Sequence, residues 1–288
     1  MLGTSVSVVV PTYNRGPVVM RALSSVIGQS YRDFDLWIVD DGSTDDTEFR
    51  VHAFTRGLSP NVAARIHYMK TENRGVSTAR NMGARASRSD WIAFLDSDDE
   101  WLPAKLALSI KAVEKQPEIR LVHTEEIWIR NGVRVNPKKS YQKTGGRIYR
   151  KCLPCCVISP STVTIRRDLF EEMGGFDEGF PVCEDYDLWL KITSLYPVGF
   201  VDEPTTIKYG GHDDQLSLTH RAMDYWRIKA MVRILRECDL EPGDRDLTIA
   251  EIRSKGEILL KGYRKHHNLE RYREIETILN SLGIFPRK

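Results

Sequence analysis

Over the first hundred residues, short apolar runs dense in β-branched residues alternate with segments whose apolar positions recur at helical spacing, and that rhythm constrains the fold most. Ser5 to Val10 is a continuous run of the kind found in a strand covered on both faces. Gly16 to Gln29 follows, with Val18, Val19, Ala22, Leu23, Val26 and Ile27 at helical intervals. Leu36 to Val39 predicts a second buried strand, and Asp45 to Arg56 a helix capped by Ser43 or Thr44. Arg65 to Met69 predicts a third strand, Gly75 to Ser87 an Ala-rich helix and Trp91 to Leu95 a fourth strand. Pro103 opens another helix at a position where proline is tolerated. Strands and helices in this order predict an α/β fold with a mostly parallel sheet covered by helices on both faces. Ligands of such sheets bind beyond the carboxyl ends of the strands. The polar stretches expected there are Pro11 to Arg15, Asp40 to Ser43, and Asp96 to Asp99.

The middle of the chain is less regular. Leu121 to Ile129 and Arg134 to Asn136 predict a hairpin around Asn131-Gly132. Thr162 to Ile165 and Thr206 to Tyr209 read as strands, Asp168 to Met173 as a short helix ending at Gly174-Gly175, and Glu184 to Leu195 as a helix. Beyond about residue 217 the character changes to three helices, Ala222 to Glu237, Asp246 to Gly262 and Glu270 to Leu282, with Pro242-Gly243-Asp244 breaking the first from the second. The expected division is therefore a domain over residues 1–217 and a C-terminal helical extension over 218–288.

A formal net charge of +2 gives no global case for nucleic acid, and the basic stretches Tyr68 to Arg74 and Arg264 to His267 read as solvated faces. No run of ~20 apolar residues is present to cross a membrane as a helix. Met1 to Val10 leads straight into a strand pattern without the features of a signal peptide, so the expected location is the cytoplasm. Of five cysteines, Cys152, Cys155 and Cys156 resemble half of a zinc site; no second pair completes it, and buried free thiols are expected.

Three acidic clusters carry the chemistry. Asp96, Asp98 and Asp99 follow the apolar run Trp91 to Leu95. Crowded carboxylates repel unless something neutralises them, and hard oxygen ligands favour Mg²⁺ or Mn²⁺. An acidic turn leading into the helix at Pro103 would explain the same residues without a metal. Asp40-Asp41 ends another apolar strand, where a carboxylate serves a turn or accepts a hydrogen bond from a base or ribose. Glu184, Asp185 and Asp187 open a helix, where acids complement the macrodipole or one acts as a general base. His212 is either a loop histidine or a ligand for a metal or diphosphate.

Five segments, taken in order, resemble one family: Ser7 to Arg15, Ile38 to Asp45, Asn73 to Asn81, Phe94 to Trp101, and Gly174 to Asp177 followed by Glu184 to Trp189. The chain is similar over about residues 5–217 to the family 2 glycosyltransferases of the GT-A fold, a Rossmann-like nucleotide-binding fold with a mostly parallel mixed sheet flanked by helices. The resemblance implies inverting, metal-dependent transfer from a nucleotide-diphosphate sugar, most often a UDP-sugar, with Mn²⁺ or Mg²⁺ as cofactor. By the same resemblance Pro11, Thr12, Tyr13 and Arg15 hold base and phosphates, and Asp41 binds the base. Arg74 and Arg80 lie in the segment that closes over the nucleotide. Asp96 and Asp98 match the Asp-x-Asp motif, with Asp96 near ribose and Asp98 at the metal, and Ser97 between them belongs to the donor-binding set. Asp99 leaves the metal register open. Asp185 matches the catalytic base, and His212 stands where relatives place a residue near the diphosphate.

The Gln-x-x-Arg-Trp motif and transmembrane helices of the processive relatives are absent from the sequence, which implies addition of one or a few sugars. The implied partners are the donor and a saccharide, lipid-linked or protein acceptor. Trp226, Arg227, Lys229, Tyr263, Arg264 and Lys265 leave peripheral membrane association and homo-oligomerisation open. Two alternatives stand beside this reading. A sugar nucleotidyltransferase would need a glycine-rich phosphate loop where Pro11 to Gly16 stands. A non-catalytic nucleotide-sugar-binding relative would not need the acids kept here.

Overall fold

The structure is a computed structural model that describes residues 4–211 and 222–284. The elements run β1 (Val6–Thr12), α1 (Gly16–Ile27), β2 (Phe34–Asp40), α2 (Thr47–Arg56), α3 (Pro60–Ala63), β3 (Ile66–Lys70), α4 (Val76–Ala86) and β4 (Trp91–Phe94). Then come β5 (Glu100–Trp101), α5 (Lys105–Lys115), β6 (Leu121–Arg130), β7 (Val133–Val135), α6 (Tyr149–Cys152), β8 (Thr164–Arg166), α7 (Arg167–Glu172), α8 (Glu184–Leu195) and β9 (Gly199–Gly210). Three helices follow: α9 (Met223–Glu237), α10 (Pro242–Lys265) and α11 (Leu269–Ser281).

Nine strands form one sheet in the order β3-β2-β1-β4-β8-β6-β9-β5, with β7 paired to β6. The first four are mutually parallel, as the alternation predicted. Beyond β4 the sheet is mixed: β8 runs antiparallel to β4 and β6, while β6 and β9 are parallel. Burial explains the continuous β-branched strands. Val6, Val8 and Val10 of β1 join Leu36, Ile38 and Leu23 in the core under α1. Val9 points to the other face, with Val39, Ile92 and Phe94. Period-two alternation thus feeds two cores, and both faces must be apolar. Helix α4 packs directly on β1 through Gly83, where a Cβ would stand 2.5 Å from Val9.

Several local expectations change. Neither Ser43 nor Thr44 caps α2, whose N-cap is Asp46 without a side-chain bond. The Ser43 hydroxyl instead accepts the Asn14 N–H at 2.8 Å, fastening the turn after β2 to the turn after β1. Strand β9 starts at Gly199, well before Thr206, and Pro242 opens α10. The hairpin turn is as expected, with positive φ at Asn131 and Gly132.

The expected boundary at residues 217 and 218 lies outside the described residues. Helices α9 to α11 share one core with the first segment: Ile228, Met231, Ile252 and Leu279 belong to the same cluster as Trp189 and Leu190 of α8. Arg233 of α9 pairs with Asp187 of α8 at 3.0 Å and also with Asp177. The Tyr149 hydroxyl meets the Thr248 hydroxyl at 2.7 Å, joining α6 to α10.

Candidate active site

A cleft of about 700 Å³ opens beyond the carboxyl ends of β1, β2 and β4. Pro11, Thr12, Tyr13 and Arg15 line it from the turn after β1, Asp41 from the end of β2, and Asp96, Ser97, Asp98 and Asp99 from the turn after β4. Arg80 reaches it from α4, and Asp185 faces it from the first turn of α8. The structure therefore brings together the residues assigned to donor, metal and base except Arg74 and His212, while Asp40 and Asp187 of the acidic clusters stay outside the cleft. The Arg74 side chain is exposed, with its guanidinium 3.6 Å from Glu178. His212 lies outside the described residues.

The strand-end residues differ in what their side chains do. Tyr13 is 46% exposed, a ring available at the cleft mouth. Asp41 is buried, and its two oxygens accept the backbone N–H groups of Arg74 at 2.8 Å and Gly75 at 2.7 Å. It therefore ties the loop before α4 to the end of β2, beside any contact it makes with a ligand. Asp40 is scaffold, accepting from Ser43 N–H and the Tyr68 hydroxyl.

Arg80 is a buried hub. One guanidinium nitrogen donates to Asp96 Oδ1 and another to Glu184 Oε1, each at 2.6 Å. Burial works against its charge, but these carboxylates hold the guanidinium protonated above its ordinary range. Glu184 is pushed up by burial and by neighbouring Asp185, while Arg80 draws it back.

The three acids after β4 are not equivalent. Asp99 is turned inward: Ser161 Oγ donates to one oxygen at 2.7 Å and Tyr209 N–H to the other at 3.1 Å. Burial, then the charge of Asp98, raises its carboxyl well above the usual range. Asp98 faces the cleft with one oxygen 3.9 Å from an Arg15 nitrogen. Among the described residues no three His, Cys, Asp or Glu side chains converge into a ready-made cation cage. The cleft nonetheless fits a hard divalent cation: its carboxylates offer only oxygen, and such ions are commonly held by one or two carboxylates together with substrate phosphates. Of the three acids, the hydrogen-bonded oxygens of Asp99 suit that task least.

Asp185 accepts the Tyr186 N–H on Oδ1 at 2.7 Å and the Cys156 thiol on Oδ2 at 3.4 Å. Lys208, near the end of β9, also lines the cleft, and sequence reasoning passed over it. Its ammonium lies 3.3 Å from Ser159 Oγ. Burial disfavours its charge, yet Glu126, Asp99, Asp96 and Asp185 raise it above its ordinary range. The available signal was a lysine in the otherwise uncharged strand run Thr206 to Tyr209.

The family model described as Glycosyl transferase family 2 matches residues 7–174, more than half of the chain. The chain belongs to glycosyltransferase family 2. A relative from Escherichia coli, UDP-Glc:alpha-D-GlcNAc-diphosphoundecaprenol beta-1,3-glucosyltransferase WfgD, is 34% identical over 188 residues, covering 65% of this chain and 69% of that protein. An uncharacterised glycosyltransferase of Rickettsia felis is 32% identical over 206 residues, 69% of this chain; the match spans only 32% of that longer relative. Among solved structures, S. aureus TarS in complex with UDP-GlcNAc aligns with a TM-score of 0.69 at 19% identity, covering 98% of this chain and 93% of that one. A Pyrobaculum calidifontis mannosyltransferase in complex with GDP-Man and Mn²⁺ aligns at 0.61 and 17% identity, covering 96% and 86%. These likenesses show the fold that the chain shares with both structures, a mixed sheet flanked by helices.

Proposed function

We propose that this chain transfers a glycosyl group from a UDP-sugar to an acceptor hydroxyl by a single displacement that inverts the anomeric carbon. One observation carries the reading: the Asp185 carboxylate of α8 shares one cleft with the strand-end residues Tyr13, Asp41 and Asp98. A donor base and diphosphate seated over those strand ends would direct C1 toward Asp185. Asp185 takes the acceptor hydroxyl's proton as its oxygen attacks C1 from the face opposite the leaving group. Arg15 and Lys208 supply positive charge as the diphosphate leaves. Mn²⁺ or Mg²⁺ held by Asp98 with Asp96 would neutralise the diphosphate further. Holding both substrates in line supplies much of the remaining rate.

The preference for UDP is supported by the carrier named for the E. coli relative and for the TarS complex. The E. coli relative's name also supports a lipid-linked saccharide acceptor, handled at a membrane surface. Among the described residues no helix is long and apolar enough to cross a membrane. The decisive experiment follows UDP release and glycosylated product with a panel of UDP-sugars and lipid-linked saccharides, for wild type and Asp185→Asn. The variant binds UDP as wild type does but transfers at least ~10²-fold more slowly, the lower end for lost general-base catalysis. Transfer by Asp185→Asn at the wild-type rate would overturn the assignment.

A further inference from the structure

We propose that Cys156 is a positioning residue for Asp185: its thiol donates to Oδ2 and, with the Tyr186 N–H on Oδ1, fixes the plane of the carboxylate that faces the cleft. The inference rests on the reading of Asp185 as the base. The geometry is specific to this pair. Asp185 is anchored at one oxygen by the Tyr186 backbone N–H at 2.7 Å, and a single contact lets the rigid carboxylate rock about it through coupled χ1 and χ2 changes. Cys156, in the loop after α6, places Sγ 3.4 Å from the second oxygen. Sγ also lies 3.2 Å from the Ile158 carbonyl oxygen. A thiol has one proton, and an ionised carboxylate is the stronger acceptor of the two.

The choice of sulfur has a physical consequence. S–H is a weak donor. A hydroxyl or N–H on the same oxygen would stabilise the ionised form and reduce its basicity. A thiol orients the carboxylate while leaving most of that basicity in place. The donor also stays protonated: burial, and then the negative charge of Asp185, pushes the Cys156 thiol well above its ordinary range. Among the described residues the other titratable groups around the pair are Glu184, Cys183 and Tyr186 on the Asp185 segment, Cys152 of α6, Lys208 of β9 and Arg227 of α9. All of them remain in the variants below, so differences between variants report the thiol.

The test compares wild type, Cys156→Ala and Cys156→Ser through the pH dependence of kcat and through donor KM. Cys156→Ala is expected to lower kcat roughly 10- to 100-fold, the scale of a misplaced catalytic group, with donor KM unchanged. Its acid limb moves to higher pH because the carboxylate has lost a donor. Cys156→Ser recovers most of the kcat lost in the alanine variant, and its acid limb moves to lower pH because O–H is the stronger donor. These opposite displacements would not arise from a packing role. The hydrogen bond itself is read without turnover, from the S–H stretching band that disappears in Cys156→Ser. That band is expected to move to higher frequency in Asp185→Asn. Wild-type kcat and an unmoved pH profile in Cys156→Ala overturn the inference, as does an S–H band unchanged by Asp185→Asn. If Asp185→Asn is inactive while Cys156→Ala is normal, only this inference falls. If Asp185→Asn transfers normally, the assignment of the base falls and takes the inference with it.

Discussion

Replacing Arg80 with Gln removes the cation that joins three elements: its own helix α4, Asp96 after β4, and Glu184 at the start of α8. The side chains of Arg80 and Glu184 are only 4% and 8% exposed, and both contacts are 2.6 Å long. Removing one partner from a buried ion pair costs about 3–5 kcal/mol, because the remaining charge loses its compensation. Two features bring the expected loss to the lower end of that range. Asp96 is 26% exposed, so water recovers part of its solvation. Burial and Asp185 already push the Glu184 carboxyl upward, so it can take a proton once the arginine is gone. That second feature sets the sign of a pH effect. An acid with a raised folded-state pKa binds more protons folded than unfolded, so stability is highest at low pH and falls as pH rises. The penalty of Arg80→Gln should therefore be smaller below neutrality than above it. Urea unfolding of both proteins at one pH on each side of neutrality measures this directly. Arg80→Lys should rescue only in part, since one ammonium nitrogen on a shorter side chain replaces the two guanidinium nitrogens that meet Glu184 and Asp96 separately. A loss below about 1 kcal/mol, well under the cost of breaking a buried pair, or a penalty independent of pH, would refute the hub as described.

Three further outcomes are expected. Asp41→Ala should cost roughly 1.5–3 kcal/mol for each charge-assisted bond removed and weaken UDP binding by loosening the 73–75 loop; unchanged urea midpoint and UDP affinity would confine Asp41 to a passive turn. Chelation with EDTA should lower turnover and Mn²⁺ should restore it, with Asp98→Asn reducing the apparent Mn²⁺ affinity and Asp99→Asn chiefly reducing stability; full turnover in EDTA would count against the proposed cation. Burial lifts the Asp187 carboxyl from 3.8 to about 6 despite Arg233, so this group's contribution to stability declines as pH rises from about 4 to about 6. Asp187→Asn should remove that decline, and identical urea-midpoint profiles across the window would show that the group does not titrate there.

The parallel half of the sheet was legible because its physics is local. Strands β1 and β4 are buried along their whole length, and β2 at Phe34, Leu36 and Ile38 to Asp40, so they appear as dense apolar runs. Their carboxyl ends then locate the cleft: Pro11 to Arg15, Asp41 and Asp96 to Asp99 line it, while Asp40 and Ser43 are taken up by contacts within the turns. What each polar side chain does there is set by partners distant in sequence. Asp98 and Asp99 are adjacent and chemically alike, yet Asp99 meets Ser161 and Tyr209, which arrive from another loop and the far side of the sheet. No spacing in the acidic run records that meeting. Ser43 had the composition of a helix cap, but the Asn14 N–H from a neighbouring turn claims its hydroxyl. The role of Lys208 depends on β9 running alongside β6 and the cleft, a pairing that carries no short-range signature.

The C-terminal helices sharpen the same point, because they contain none of the family's motifs and yet reach the helix that carries Asp185. Arg80 of α4 holds Glu184, while Arg233 of α9 holds Asp187 at 3.0 Å. Asp185 lies between those two residues in the first turn of α8. At 3.6 residues per turn, side chains 184 and 187 fall about 60° apart around a helix and 185 projects away from both. Two arginines therefore grip the 184/187 side of α8, Arg80 from the wall of the cleft and Arg233 from α9, while the Asp185 carboxylate projects into the cleft beside Glu184. The apolar contacts of Ile228 and Met231 with the α8 core fix the distance at which that grip is made. A helix terminus carrying three acids would otherwise be loosened by its own repulsion. Here two of the three are neutralised from outside, and the carboxylate proposed to take the proton faces the cleft.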